Sequence, residues 1–111
     1  MTWISLRWTD LRGEIPKELG QLHSLVFLNL YGANLTGEIP AELGQLPNLK
    51  VLDLSFNNLW GKIPGELGQI QGIEYLALSR NALEGAIPEE FGNFVNMTGL
   101  HLDGNILTGA I

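Results

Sequence analysis

Apolar and polar residues alternate in short stretches that recur along the chain. In the stretch Val51 to Ser55, leucines occupy the second and fourth positions, Leu52 and Leu54. A period of two places these leucines on one face of an extended backbone and Val51, Asp53 and Ser55 on the other. The pattern predicts a half-buried strand whose leucines face a core.

The alternating stretches belong to a repeat of 24 residues. A repeat of this length predicts stacked units, which together bury a core that no single unit can bury alone. The repeated positions are leucine (Leu11, Leu35, Leu59, Leu83, Leu107), glycine (Gly13, Gly37, Gly61, Gly85, Gly109), isoleucine (Ile15, Ile39, Ile63, Ile87, Ile111) and proline (Pro16, Pro40, Pro64, Pro88). We expect one domain, 1–111, with a partial first strand in 1–10, repeats at 11–34, 35–58, 59–82 and 83–106, and a truncated repeat in 107–111.

Each repeat carries signals for a second element after the strand. An Asn turn leads into the stretch L-x-G-x-I-P, as in Leu59 to Pro64, and then into P-x-E-L-G. Proline at the first position of a helix and glutamate in its first turn both favour a short helical turn. Glycine frequently follows the last residue of a helix, so Gly68 is predicted to end this one.

The stretch LPNLKVLDLSFNNLWGKIP, Leu46 to Pro64, resembles the plant-specific leucine-rich repeat of receptor-like kinase ectodomains and polygalacturonase-inhibitor proteins. The resemblance covers residues 4–111. It implies an α/β, right-handed solenoid with a concave parallel sheet, a second short strand and helical turns on the convex side. It also implies a protein, peptide or oligosaccharide ligand and a location outside the cell or at its surface.

Composition narrows the possible functions. The net charge is −6 and the chain has no cysteine, so binding to nucleic acid is not expected and no thiolate chemistry is available. No apolar stretch is long enough to insert into a membrane, and the first ten residues do not form a signal-peptide pattern. No cofactor or metal is predicted. Cysteine-bearing caps typical of the family are missing and the last repeat stops at Ile111, so we expect a fragment of a longer array or a truncated gene product.

Aromatic residues concentrate on the outward face of the predicted strands. Six of the nine aromatic residues occupy four outward columns, where they have no core to fill. Exposed aromatic side chains are frequent hot spots of interfaces. The predicted ligand-binding residues on this concave face are Phe27, Asn29, Tyr31, Asp53, Phe56, Tyr75, Arg80, His101 and Asp103.

Asparagine recurs at the end of the strands, at Asn57, Asn81 and Asn105. We interpret this column as structural, because a buried amide can satisfy backbone groups at a turn. Ala33 occupies the same column and has no side-chain amide, so an adjacent group, Asn34 or a water must replace it. The glutamate column (Glu18, Glu42, Glu66, Glu90) is interpreted as helix-stabilising rather than cation-binding.

Two sequons, at Asn34 and Asn96, are possible glycosylation sites if the chain is secreted. His101 lies two residues from Asp103, but no serine or cysteine nucleophile completes a catalytic set, so we do not predict an enzyme. The expected function is ligand recognition in a receptor-like ectodomain. The alternatives are a free-standing secreted inhibitor and an intracellular scaffold or truncated remnant.

Overall fold

The computed structural model describes residues 2–109, and within them the chain forms two parallel sheets joined by short helices. The first sheet has the order β1-β2-β4-β6-β8, and the second has the order β3-β5-β7-β9. The first sheet consists of β1 (Thr2–Ser5), β2 (Leu25–Asn29), β4 (Val51–Asp53), β6 (Tyr75–Ala77) and β8 (Gly99–His101). The second consists of β3 (Thr36–Gly37), β5 (Asn58–Lys62), β7 (Ala82–Ala86) and β9 (Ile106–Thr108).

The register of the first sheet follows the 24-residue repeat. Leu28 pairs with Leu52, which pairs with Leu76 and then with Leu100. Equivalent residues therefore lie beside one another in neighbouring strands, and the inward leucines form continuous rows. Leu28, Leu52 and Leu76 are almost fully buried. Stacking of the repeats thus produces the single core that the sequence predicts.

The helical turns are 3₁₀ helices. They are η1 (Lys17–Gln21), η2 (Ala41–Gln45), η3 (Gly65–Gln69) and η4 (Glu89–Asn93), each preceded by a proline with an extended backbone. A five-residue segment is too short for the costly nucleation of an α-helix. None of these helices, within the described residues, meets the length and hydropathy of a membrane-spanning helix.

The predicted role of Gly68 as a terminating glycine is wrong. Gly68 lies inside η3, and the helix ends at Gln69. A Cβ atom on Gly68 would lie 2.6 Å from Cβ of Glu90 in the next repeat. The glycine is therefore required by the close approach of successive helices, not by a left-handed backbone at the helix end.

The last residue of the repeated isoleucine column, Ile111, lies outside the described residues. The end of the truncated repeat predicted in 107–111 therefore also lies outside them.

Candidate functional site

The outward face of the first sheet carries the predicted ligand-binding residues in adjacent strands. Phe27 pairs with Val51, which pairs with Tyr75. Asp53 occupies the neighbouring column, in register with Asn29 on one side and with Ala77 on the other. Side chains from different repeats therefore meet on one surface, which we call the concave face.

Three aromatic side chains form a continuous ridge along one margin of the concave face. This aromatic ridge consists of Trp8, Tyr31 and Phe56. The Tyr31 ring centroid lies 5.0 Å from that of Trp8, in an edge-to-face arrangement, and 4.9 Å from that of Phe56. Two guanidinium groups extend the ridge, since Arg7 lies 5.5 Å above the Tyr31 ring and Arg80 lies 5.5 Å above the Phe56 ring. These are distances at which rings and cations attract one another.

The backbone under the ridge adopts a left-handed conformation at one position of each repeat. Trp8, Phe56 and Arg80 have φ values of 56°, 59° and 58°. Gly32 and Gly104, with φ values of 65° and 72°, hold the same position in the other two repeats. The left-handed region is unfavourable for bulky L-residues and costs them about 1–2 kcal/mol. We call these five residues the rim column.

A pocket of about 280 Å³ opens on the concave face beside the aromatic ridge. Its walls include Tyr31, Phe56 and Tyr75. Its lining comes from four consecutive repeats, namely from strands β4, β6 and β8 and from the turns that follow β2, β4, β6 and β8. Seven of the nine predicted ligand-binding residues line it: Tyr31, Asp53, Phe56, Tyr75, Arg80, His101 and Asp103. Ser55, Ala77 and Ser79 complete the lining.

Two predicted residues are not part of this pocket. The ring of Phe27 stacks on Trp3, with centroids 4.7 Å apart and an interplanar angle of 10°. The side chain of Asn29 accepts a hydrogen bond of 3.0 Å from the backbone N–H of Tyr31. Both residues lie on the concave face, but Phe27 contacts β1 and Asn29 contacts the backbone of the turn that follows β2.

Three lining residues were absent from the sequence prediction: Ser55, Ala77 and Ser79. They share outward columns with predicted residues, and this is the signal that identifies them. Their small side chains gave no reason to select them, although Ser79 donates a hydrogen bond of 2.7 Å from Oγ to Oδ1 of Asp103. This bond, followed by a backbone bond, lowers the pKa of Asp103.

Asp53 forms part of the pocket lining, and only about 9 % of its surface is exposed. Its Oδ1 accepts a hydrogen bond of 3.0 Å from the backbone N–H of Ser55. Burial, followed by the negative charge of Asp53, raises the pKa of the neighbouring Tyr75. The pocket therefore combines aromatic walls with a nearly buried carboxylate.

The predicted asparagine column lies beneath the concave face. Asn57 is buried and forms hydrogen bonds with five backbone groups of the described residues. The N–H groups of Ala33 and Leu35 donate to its Oδ1, and its Nδ2 donates to the carbonyl oxygens of Leu30, Leu54 and Ser55. Asn81 and Asn105 make equivalent bonds one and two repeats further on. One side chain thus ties two consecutive repeats together.

At Ala33, where this amide is absent, other groups replace it. The backbone N–H of Leu11 donates to the carbonyl oxygen of Ala33 at 3.1 Å, in place of a side-chain oxygen. The hydroxyl of Thr9 donates to the carbonyl oxygen of Leu6 at 2.6 Å. Asn34 takes no part in this exchange, because its Nδ2 donates to Oδ1 of Asp10 at 2.8 Å.

Comparison with known proteins identifies the repeat. A family model described as "Leucine rich repeat" matches residues 47–107, and a second, "Leucine Rich repeats (2 copies)", matches residues 23–67. The chain belongs to the leucine-rich-repeat family. No curated protein matched it in a sequence search.

Solved structures place this leucine-rich-repeat chain close to plant receptor ectodomains. It is 40 % identical to the ectodomain of the membrane receptor kinase GASSHO1/SCHENGEN3 from Arabidopsis thaliana, solved with CASPARIAN STRIP INTEGRITY FACTOR 2, with a TM-score of 0.94 over 96 % of this chain. It is 37 % identical to the plant peptide hormone receptor RGFR1, solved in complex with RGF2, with a TM-score of 0.87 over 95 % of this chain. The chain spans only 13 % and 17 % of these two proteins.

A third similar structure is not described as a receptor. A plant ice-binding protein is 32 % identical, with a TM-score of 0.82, and the match covers 93 % of this chain and 41 % of that protein. Leucine-rich repeats of this type therefore occur in proteins with different functions, and the function of this chain must be argued from its own surface.

The leucine-rich repeats also carry a larger cavity, away from the concave face. It has a volume of about 640 Å³ and lies beside Trp60 of β5, whose surface is 51 % exposed. Four glutamates line it: Glu14, Glu18, Glu38 and Glu42. Only one aromatic side chain borders it. Among the described residues, no three acidic, histidine or cysteine side chains are arranged so that they could hold one metal ion. We therefore regard the concave pocket, despite its smaller volume, as the stronger candidate site.

Both sequon asparagines, Asn34 and Asn96, are exposed on the leucine-rich-repeat surface. Glycosylation at either residue remains a prediction. At Asn34, the amide nitrogen that a glycan would occupy is already hydrogen-bonded to Asp10.

Proposed function

We propose that this chain is a non-catalytic recognition segment that binds an extended peptide through its concave face, outside the cell. The observation that carries the proposal is the convergence of side chains from four consecutive repeats on one pocket beside the aromatic ridge. Neighbouring ectodomains solved with their ligands, including a peptide hormone receptor, support the same assignment.

The rim column provides independent support. Two repeats have glycine at this left-handed position, which glycine occupies without strain. Of the three bulky residues in the column, Phe56 and Arg80 border the pocket, and Trp8 belongs to the aromatic ridge beside it. Strained residues persist where the surrounding structure holds them, and they cluster at binding sites. A role for these side chains in ligand contact explains why glycine does not occupy every repeat.

The pocket is open along the sheet, and this shape favours a peptide over an enclosed small molecule. Pockets for small molecules measure about 300–1,000 Å³ and bury most of their ligand. A pocket of about 280 Å³ on an open sheet has room for one or two side chains of a longer ligand. The aromatic ridge would then contact the ligand on either side of that anchor.

The proposal can be tested by selecting peptides against the full chain from a random library displayed on phage. A selected peptide should bind Tyr75→Ala at least about fivefold more weakly than the wild type, because an anchoring aromatic residue is worth about 1 kcal/mol or more. The Trp60→Ala variant is the matched control and should bind normally, since Trp60 lies on the second sheet. Binding that survives Tyr75→Ala but is abolished by Trp60→Ala would place the site on the second sheet.

A further inference from the structure

The charge of Asp53 is not required for the structural bond that this residue makes. Oδ1 of Asp53 accepts the backbone N–H of Ser55 at 3.0 Å. One repeat earlier, the neutral Asn29 makes the same bond with the N–H of Tyr31, also at 3.0 Å. Asn29 and Asp53 are in register in adjacent strands, so the chain contains its own uncharged equivalent of Asp53.

A charged residue at this position is costly unless something compensates for it. Asp53 is about 91 % buried, and the one donor to its carboxylate among the described residues is the backbone N–H of Ser55. Partial removal of a carboxylate from water is unfavourable unless an opposite charge compensates for it. In residues 2–109, the ion pairs within 4.0 Å are Arg12–Asp10 and Lys50–Glu74, so no described cation pairs with Asp53. The carboxylate is therefore available to a cation that enters the pocket.

The rest of the pocket also suits a cation. Tyr31, Phe56 and Tyr75 border it, and the faces of aromatic rings attract ammonium and guanidinium groups. Arg7 lies above the Tyr31 ring and Arg80 above the Phe56 ring, so among the described residues the Tyr75 ring is the one without a guanidinium above it. Near neutral pH the charged side chains of the pocket are Asp53, Asp103 and Arg80, which give a net charge of −1 when His101 is neutral. The one full positive charge, that of Arg80, lies above the Phe56 ring.

We propose that the concave pocket recognises a lysine or arginine side chain of the peptide ligand, with Asp53 as its counter-ion and the aromatic rings as its walls. This inference rests on the proposed function and names the residue type that the pocket selects. Because the interaction is ionic, we expect binding to weaken as salt is added.

The test uses the full isotope-labelled chain and three acetylated, amidated pentapeptides, Gly-Ser-X-Ser-Gly, where X is lysine, glutamine or glutamate. Chemical-shift titration by NMR gives both the affinity and the location of binding. The lysine peptide should shift the amides of the pocket residues and bind about tenfold more tightly than the glutamine peptide, since hydrogen bonds to charged groups are among the stronger ones.

Two charge-neutralising variants give responses of opposite sign. Asp53→Asn should weaken the lysine peptide by about tenfold, to the level of the glutamine peptide, while Arg80→Gln should strengthen it by removing a repulsive charge. Asp53→Asn keeps the hydrogen bond to Ser55, as Asn29 shows, and removes a mostly buried charge, so its unfolding temperature should equal or exceed that of the wild type. That measurement separates loss of charge from loss of fold.

Three results would overturn the inference. If the glutamate peptide binds best, and Arg80→Gln weakens it, the pocket selects anions. If the lysine and glutamine peptides shift the same concave residues equally, the pocket does not select a cation, although peptide binding on this face is retained. If the lysine peptide causes no shift there, the pocket does not bind a cation. If the shifts occur around Trp60 instead, both the inference and the proposed function fail.

Discussion

Replacement of Phe56 by glycine and by alanine provides a sensitive test of the left-handed rim column. Phe56 has φ of 59°, a conformation that costs an L-residue about 1–2 kcal/mol and costs glycine almost nothing. Glycine loses about 0.5–1 kcal/mol more than alanine in conformational entropy when the chain folds. The difference leaves glycine the more favourable residue at this position.

We predict that Phe56→Gly is more stable than Phe56→Ala by about 1 kcal/mol. Both variants remove the same ring, with its contacts to Tyr31 at 4.9 Å and to Arg80 at 5.5 Å, so the loss of packing nearly cancels between them. In a chain of this size, that difference corresponds to roughly 4–8 °C in Tm.

Chemical denaturation of the two variants measures the difference directly. Ala82→Gly is the control, since Ala82 lies in β7 without a positive φ, and glycine there should cost about 0.5–1 kcal/mol. The order of stability should thus reverse between the two sites. If Phe56→Ala is as stable as Phe56→Gly, the left-handed backbone is not a source of strain.

Three further predictions concern the core, the hydrogen-bond network and the pocket. Gly68→Ala should destabilise the chain by about 1–3 kcal/mol in thermal or chemical unfolding, because the added Cβ would clash with the next repeat. Gly92→Ala is the control: no atom lies within 4 Å of its added Cβ, so it should be neutral or slightly stabilising. Asn57→Ala should cost about 3 kcal/mol in urea unfolding, because it leaves buried backbone groups without partners. The pKa of Tyr75 is raised in the folded state, so its contribution to stability is complete below the ordinary tyrosine pKa and lost as the pH rises through the folded value. A tyrosine NMR titration should show that Asp53→Asn lowers this pKa.

The architecture was largely predictable because a repeat supplies the same information several times. Each 24-residue unit places leucine at Leu52 and Leu54 or their equivalents, so the inward rows and the register of the first sheet follow from spacing alone. The role of Gly68 did not follow, because sequence pattern alone does not distinguish a glycine required by φ from one required by a neighbouring helix.

The candidate site was predictable as a surface but not as a pocket. The outward columns correctly placed Tyr31, Asp53 and Tyr75 on one face. Which of these side chains converge depends on contacts between repeats: Phe27 stacks on Trp3 instead of lining the pocket. The sequence also does not predict the positive φ of the rim column, since Trp8, Phe56 and Arg80 are residue types that rarely adopt it.

A repeat protein offers a comparison that an ordinary chain does not, because neighbouring units show which residue suffices at each position. Gly32 and Gly104 show that the rim column folds without a side chain, so the fold does not require the strain carried by Phe56 and Arg80. Asn29 shows that a neutral amide makes the bond of Asp53. In both cases at least one repeat has the less costly residue. Of the costly alternatives, Phe56, Arg80 and Asp53 line the pocket, and Trp8 belongs to the aromatic ridge beside it. Folding alone would favour glycine and asparagine at these positions, and the departures from them are what the proposed binding role of the concave pocket explains.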